Sequence, residues 1–515
     1  MIRHDLALLG CALLSGAVQA LLPRLPAQGA LACVALVPLL VATSRASVSR
    51  TVLAAIAYAL ALGEIAILPW LGPSLGPYFG LTGVRSYALA ASTVVLLALL
   101  HGGLLGVALA LRPRRSPVLL VVWTAALWAC WEALRSYVPP RFPGAVLGVS
   151  LEDAPALLQL ASVTGVAGVT AVVVAANAGV AALLARDEPR AARLRAFATG
   201  VGLVVLATLW GATRLATPLA TAEHAPRILA IDLDASDATE STLDRLLAAT
   251  SAAMATSPDV RFDVVLWPES ALNLDLARDR AAWRRITEFL ERSGATLVTG
   301  GVSFELDKRG RAQRFNALHV LRPGFGMQSY HKRLLVPLAE SWPALLGAPP
   351  ASLEPVTAGR TLRTFDVGST RFGPVTCFEI ADGASARLLA RDGAGFLLNP
   401  TNDAWFRGTE APHLRWARIR AIETGLPVVR VANAGTSAVF DPLGREIGAS
   451  ALDAPPGRAL SAAVPSAIAT PYVAVGEWFL PTCATVVLLG VASSVVAVLR
   501  RRRALVAEAV VGDRA

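Results

Sequence analysis

Apolar runs long enough, or nearly so, to cross a lipid bilayer recur along this chain, and nothing else in the sequence restricts its fold as strongly. They lie around Leu6–Leu22, Ala30–Thr43, Val52–Leu71, Tyr87–Leu111, Val118–Val138, Ala156–Ala185, Phe197–Leu215 and Trp478–Leu499. Hydrocarbon offers backbone N–H and C=O groups no water, so a lone crossing segment is read as a helix, and ~20 apolar residues suffice for one crossing. About eight spans follow by this reading, seven before a more polar stretch and one after it. The second run is short and contains Pro38, which suits a tilted or partly re-entrant segment. The first has the look of a signal peptide, but the many apolar runs behind it make a retained helix the expectation.

Only 16% of the 515 residues are charged and 54% are hydrophobic, whereas about a quarter of an ordinary globular chain is charged. The polar minority is concentrated between Thr217 and Pro471. The expected organisation is therefore a transmembrane domain over 1–216, a catalytic domain over 217–471, and a last helix with a basic tail over 472–515. The formal net charge of +10 does not call for nucleic acid, because the arginines sit at the ends of apolar runs. Arg45 and Arg50 follow the second run, Arg112, Arg114 and Arg115 the fourth, Arg186, Arg190, Arg193 and Arg195 the sixth, and Arg500 to Arg503 the eighth. With eight spans all these clusters fall on one side, which the positive-inside rule makes cytoplasmic. The 217–471 domain is then expected outside the cytoplasm.

Of the five cysteines, Cys11, Cys33, Cys130 and Cys483 fall in apolar runs, where cysteine usually behaves as a small hydrophobe. Cys377 alone belongs to the polar domain, so it has no partner there for a structural disulfide. Ionisable residues within the spans are few, and Glu64, His101, Glu132 and Arg135 are among them. The last two are three apart on one helix and can pair.

The 217–471 domain alternates β-rich runs with helical patterns. Arg227–Ile231, Val264–Leu266, Ala295–Val298, Ala317–Leu321, Gly373–Cys377, Phe396–Leu398, Val428–Val431 and Ser437–Phe440 read as strands. Ser241–Ala253, Ala281–Ser293, Ala384–Arg391 and His413–Thr424 read as helices. That order suggests a layered α/β domain.

Three segments each put a reactive side chain just beyond an expected strand: Glu269 in VVLWPE, Lys332 in YHKRLLVP and Cys377 in GPVTCFE. Strand ends are rigid mounts on which distant residues can converge. A free thiol, with pKa about 8.5, is mostly protonated at neutral pH and needs a base or a cation to become the reactive thiolate. Glu269 could take the proton, and Lys332 could stabilise first the thiolate and then an oxyanion. Singly, each residue has an ordinary explanation: a small buried hydrophobe, a solvated strand end and a surface cation.

Taken in order, WPE, then HK followed by LVP, then CFE, then Asn402-Asp-Ala-Trp-Phe406 resembles the Glu-Lys-Cys pattern of the nitrilase superfamily. With the flanking spans, the whole chain is similar to the apolipoprotein N-acyltransferase family. The segment Trp131 to Arg135, Phe142-Pro143, the stretch from His413 to Glu423, and Asn433-Ala-Gly435 add to the likeness. The resemblance implies a multi-spanning α-helical membrane domain plus an α/β nitrilase-like domain, an αββα sandwich. It implies Glu269 as general base, Lys332 as the intermediate-stabilising cation and Cys377 as the acyl-carrying nucleophile. Glu340 matches a second glutamate that positions the lysine, Glu379 the acidic residue after the nucleophile, and Asn316 a polar residue beside the site. There are departures: Phe378 stands where the family commonly has Tyr, Arg407 where Gly is usual, and the first strand lacks a Gln-containing start. Trp342, Trp405 and Phe406 put large apolar groups beside these segments, as core or as arms that admit acyl chains.

The implied partners are a phospholipid acyl donor, a diacylated lipoprotein acceptor and the surrounding membrane lipids, with the chain a monomer in the bacterial inner membrane and its catalytic domain periplasmic. No metal or organic cofactor is implied, since the polar domain holds no His/Cys ligand cluster. Two other readings stand beside this one. A membrane-anchored amidase of the same superfamily would make seven preceding spans excessive, and a transporter with an accessory domain would need more polar residues along its spans.

Overall fold

A computed structural model describes residues 2–512 except 80, 114–115, 139–140, 186, 220–224, 233–241, 343–347, 350–355, 407–411 and 450–458. The chain divides into two compact units. One comprises Met1–Pro69, Leu89–Arg214 and Glu477–Ala515, the other Trp70–Ala88 and Leu215–Gly476.

Among the described residues, seven helices are long and apolar enough to cross a membrane: Arg3–Arg24, Val48–Ala66, Val84–Ala110, Pro117–Tyr137, Val166–Leu184, Arg190–Leu215 and Phe479–Arg500. The second expected run is instead two short helices, Gln28–Ala32 and Val37–Thr43, with Pro38 in the first turn of the latter, where its missing N–H leaves no hydrogen bond unmade. The sixth run is divided as well. Short helices Pro155–Leu158 and Ala161–Thr164 precede Val166–Leu184, and the break falls at Gly165, whose φ of 67° lies outside the helical region.

The first unit coheres through small residues, as helices in lipid do when backbones must approach closely. Val121, Ala125, Ala126 and Ala129 of one helix form a core with Ala171, Ala175 and Ala178 of another. A Cβ on Gly16 would collide with the Tyr58 carbonyl oxygen, and one on Gly200 with that of Ala175. Glu132 and Arg135 do pair, at 3.6 Å, and both are buried. Glu132 also accepts from Leu147 N at 3.0 Å and Thr170 Oγ1 at 2.8 Å, while Arg135 donates to the Ala145 carbonyl at 2.9 Å. The pair thus closes the loop after its own helix.

The second unit is a sandwich of two six-stranded sheets. Its strands are β1 (Arg227–Ile231), β2 (Val264–Leu266), β3 (Thr296–Leu306), β4 (Ala312–Arg322), β5 (Gly326–His331), β6 (Phe365–Val367), β7 (Thr370–Pro374), β8 (Phe396–Asn402), β9 (Val428–Asn433), β10 (Ala438–Phe440), β11 (Glu446–Ala449) and β12 (Ala459–Ala463). The sheet orders are β12-β1-β2-β3-β4-β5 and β11-β10-β9-β8-β7-β6. In each sheet three central strands run parallel, β1, β2 and β3 in one and β7, β8 and β9 in the other, with antiparallel neighbours outside them.

Alternation along β1 shows how the layers form. Ile228 and Ala230 join the core between the sheets, with Val264, Leu266, Phe372, Phe396 and Val429. Leu229 and Ile231 face the other way, toward Leu246, Ile286, Phe289 and Leu290 of the helices Thr242–Ala255 and Arg280–Ser293. The second of these helices is capped by Asp279, which accepts from Ala282 N at 2.9 Å, and stops at Gly294 in the left-handed region. Helices Gly383–Arg391 and Pro412–Thr424 belong to the opposite sheet.

Candidate active site

The expected site residues gather at strand ends and in the segments that follow them. Glu269 follows β2, Lys332 follows β5, and Asn316 lies within β4, whose residue Ala317 pairs with His331. The strand expected over Gly373–Cys377 ends earlier, at Pro374, and Cys377 opens a 3-10 turn, Cys377–Ala381. The reason lies in the backbone: Cys377 has φ of 48°, in the left-handed region, which no strand residue adopts. A non-glycine residue held there stores strain of about 1–3 kcal/mol.

Lys332, 2% exposed, lies between two carboxylates. Its Nζ donates to Glu269 Oε1 at 2.9 Å and contacts Glu340 Oε2 at 2.9 Å. Asn316 Nδ2 donates to the same two residues, at 2.8 Å to Glu269 and 2.6 Å to Glu340. Glu269 is held at its other oxygen by the backbone N–H of Asn402, 2.9 Å from Oε2. A carboxylate has about four lone-pair sites, so these three donors leave Glu269 able to accept another proton. Glu340 is fixed in turn by Val336 N at 2.8 Å from Oε2.

Burial works against the charge on Lys332, but Glu269, Glu340 and the Cys377 sulfur overcome it and hold the ammonium well above the usual lysine range. The Cys377 thiol, 5% exposed, is pushed up to about 12, first by burial and then by Glu269, with Lys332 and the Thr401 hydroxyl pulling the other way. At rest it is a protonated thiol beside a pre-formed carboxylate–ammonium pair. Such an arrangement can pass the thiol proton to the carboxylate as the sulfur attacks, while the ammonium meets negative charge on the attacked oxygen.

Glu379 is a strut. Its Oε1 accepts from Tyr330 Oη and Arg333 N, both at 2.8 Å, and from Leu334 N at 3.2 Å, while Oε2 accepts from Thr376 N at 2.9 Å. One side chain thereby ties the segment after Lys332 to the turn that presents Cys377. Burial raises the Glu379 carboxyl above its usual range, against the pull of these donors. Phe378 is half-buried, its ring 6.3 Å from that of His413 and edge-on to it. Phe406, buried, stands between His413 at 5.3 Å and Trp70 at 4.9 Å. Trp342 is half-buried. The Trp405 side chain, Arg407 and the continuation of the Trp342 segment over 343–347 lie outside the described residues.

Sequence reasoning missed a second buried cluster. Thr401 and Asp403, at the end of β8, and Arg430, in β9, are each at most 2% exposed. Asp403 Oδ2 is ion-paired with Arg430 Nη2, and Arg430 Nη1 donates to Asn399 Oδ1 at 3.0 Å. The available signal was the position of Asp403 just past a strand.

Family models match two parts of the chain: the carbon-nitrogen hydrolase model over residues 230–463 and the apolipoprotein N-acyltransferase N-terminal domain over residues 15–179. A protein of Bradyrhizobium diazoefficiens named apolipoprotein N-acyltransferase is 33% identical over 384 residues, covering 69% of this chain and 70% of the relative. One of the same name from Geobacter metallireducens is 27% identical over 452 residues, or 84% and 85% of the two chains. Among solved structures, a mutant of the Nesterenkonia AN1 amidase from the nitrilase superfamily aligns with TM-score 0.38 at 17% identity, covering 52% of this chain and 98% of the amidase. With an α-helical membrane unit and a nitrilase-like sandwich in one polypeptide, the chain belongs to the apolipoprotein N-acyltransferase family, within the carbon-nitrogen hydrolase superfamily.

Proposed function

We propose that the chain moves an acyl group from a phospholipid, through a thioester on Cys377, to the N-terminal amine of a diacylglyceryl-cysteine lipoprotein. The observation that carries this reading is the cluster of buried Glu269 and Lys332 with half-buried Glu340 beside a strained, protonated thiol, in a chain whose described residues include seven helices long enough to cross a membrane. Glu269 takes the Cys377 proton as sulfur bonds to the ester carbonyl carbon, and Lys332 stabilises the oxyanion. The tetrahedral species collapses by breaking the C–O bond, and the leaving lysophospholipid oxygen receives the proton from Glu269. The substrate amine then attacks the thioester, loses a proton to Glu269, and the C–S bond breaks; that proton returns to the departing sulfur. A thioester is more reactive toward amines than the ester it replaced, and the amide product is more stable than either, so the overall transfer from ester to amide is favourable.

Glu340, Glu379, Asn316 and Phe378 support the three reacting groups, and Trp342, Trp405 and Phe406 line the access of acyl chains. The catalytic domain, 217–471, works on the periplasmic side of the inner membrane, and a monomer suffices because the three reacting groups come from one chain.

Purified protein in detergent, incubated with phospholipid alone, should gain a hydroxylamine-labile acyl mass on the Cys377 peptide and lose it when a diacylated lipopeptide is added. Cys377→Ala should form no adduct, and Glu269→Gln or Lys332→Met should slow its formation at least about a hundredfold. Transfer by Cys377→Ala at the wild-type rate would refute the covalent route. Free fatty acid without acylated lipopeptide would favour an amidase-like hydrolase.

A further inference from the structure

The first unit contains a cavity of about 370 Å³ that shares no residue with the catalytic cluster. Sites for small molecules span roughly 300–1,000 Å³, so the space is large enough to hold a ligand. It lies where several helices end or begin. Val37–Thr43, Val84–Ala110 and Val166–Leu184 reach it with their last turns, and Pro117–Tyr137 reaches it with its first. The lining runs inward from Pro117 to Thr124 and from Ala185 to Ala178, a depth of about 10 Å at the helical rise per residue.

The lining has two chemistries. Leu40, Leu109, Leu120, Ala178 and Ala181 make an apolar wall, while the charged lining residues are Arg45 and Arg112, with no acidic side chain among the described ones. Arg112 is buried, and its Nη2 donates to the Thr43 carbonyl at 2.8 Å and to the Ser44 carbonyl. Those bonds cap the helix Val37–Thr43 and fix the guanidinium at the cavity. Arg45 is exposed and ion-paired with Asp187, itself exposed. Because Pro117 belongs to the lining, the positive end of a 21-residue helix also stands at the wall, where its N-cap Ser116 makes no side-chain hydrogen bond. Cationic groups at the rim of an apolar hollow suit a ligand that is anionic at one end and hydrocarbon behind it.

We propose that this cavity binds one anionic phospholipid from the leaflet at the basic face, its phosphate at Arg45 and Arg112 and one acyl chain along the apolar wall. Basic pockets between membrane helices attract anionic headgroups in this way. A guanidinium meets phosphate through two parallel N–H···O bonds, and Arg45 reaches that arrangement by exchanging Asp187 for phosphate oxygens. The chain fills the space between the short helix Val37–Thr43 and its long neighbours, where an empty hollow leaves the lining without van der Waals partners. The volume admits a phosphate and part of one chain, so the second chain stays in the bilayer. This lipid is a bound component of the membrane unit and not the acyl donor.

The test is native mass spectrometry of the full chain in detergent, titrated with ether-linked phosphatidylglycerol. That lipid has no ester to cleave, so binding is read whether or not Cys377 forms a thioester. Arg45→Gln should weaken binding about fivefold, the usual worth of one basic contact at a membrane surface, and Asp187→Asn, which removes the competing carboxylate, should tighten it by about as much. Both substitutions break the same ion pair, so a purely structural role would shift affinity in one direction for both. That outcome, or no change in either, would overturn the proposal. Arg50, paired with Asp5, lies outside the lining; Arg50→Gln should leave binding unchanged, and a loss equal to that of Arg45→Gln would mean diffuse attraction without a site. Ala181→Phe puts a ring into the apolar wall and should weaken binding at least about tenfold, whereas wild-type affinity in the folded variant would refute occupation of the cavity by a chain. Ether-linked phosphatidylethanolamine should bind more weakly than phosphatidylglycerol, and equal affinity would refute selection for an anionic headgroup. Inorganic phosphate should not displace the lipid; displacement at equal concentration would reduce the site to one for a bare anion.

Discussion

Cys377 shows how burial can hold a single thiol protonated. Burial and the neighbouring Glu269 push its thiol up to about 12, whereas a free cysteine ionises near 8.5. A folded-state value above the unfolded one means the native state binds this proton more tightly. The group's contribution to stability is therefore fully present below about pH 8.5 and is lost as pH rises toward 12. The chemical consequence is testable without substrate: at pH 8 iodoacetamide should label Cys377 roughly a thousandfold more slowly than a free thiol, because the thiolate fraction sets the rate. The rate should still be climbing at pH 10. Labelling at the free-thiol rate would mean that the sulfur is not buried as described. Glu269 and Cys377 were legible in the sequence as unusual side chains after apolar runs, and Lys332 through the order of the motifs in which it stands. Thr401 and Arg430 were not, since a hydroxyl and a guanidinium inside strands carry no mark of being buried together.

The elements hold these residues through backbone as much as side chains. In β3, Gly300 donates to the Pro268 carbonyl at 3.1 Å and accepts from Leu272 N at 3.1 Å, gripping the segment that bears Glu269 from both ends. A Cβ at Gly300 would lie 2.5 Å from Glu269 Cα and from Ser270 N, and neither is the end of a flexible side chain. Gly300→Ala should therefore displace Glu269 and slow thioester formation by about ten- to a hundredfold, since small misplacements of a reacting group carry losses of that order. Gly310→Ala is the control, because a Cβ there meets nothing within 4 Å; it lies at a turn with φ of 74° and should change stability more than rate. Equal rates for wild type and Gly300→Ala would refute this account of how Glu269 is positioned. At this scale the sequence was legible where strands are apolar and central, as in β1, β2, β8 and β9. It was silent on β5, β6, β11 and β12. β5 mixes Gln328, Ser329 and His331 into its pattern, β6 has three residues, and β11 and β12 lie at sheet ends where half-exposed positions dilute the alternation.

For the whole molecule the question is which side each end of the spans occupies, and contacts within the first unit bear on it. Arg45 is ion-paired with Asp187, Arg112 donates to the Thr43 carbonyl at 2.8 Å, and Arg50 meets Asp5 at 2.8 Å. Arg45, Arg50 and Arg112, after the second and fourth apolar runs, and Asp187, after the sixth, therefore share one face with the start of the first helix. The broken segment Gln28–Thr43 lies between Asp5 and Arg50, after one full helix. If it turned back instead of crossing, Asp5 and Arg50 would stand on opposite sides of the bilayer and could not pair. The expectation is then that the short helices complete a crossing, one passage built from two pieces beside the seven long helices. Helix Arg190–Leu215 starts at the basic face, so the chain should leave it on the other side, and the positive-inside rule makes the basic face cytoplasmic. Reporter fusions at the N-terminus and after Arg195 should accordingly give cytoplasmic signals, and one near Glu305 an external signal. Matching signals after Arg195 and near Glu305 would overturn the orientation. An external N-terminus with the other two unchanged would leave the orientation standing and refute the crossing of the broken segment, since only the parity of the first two passages would have changed.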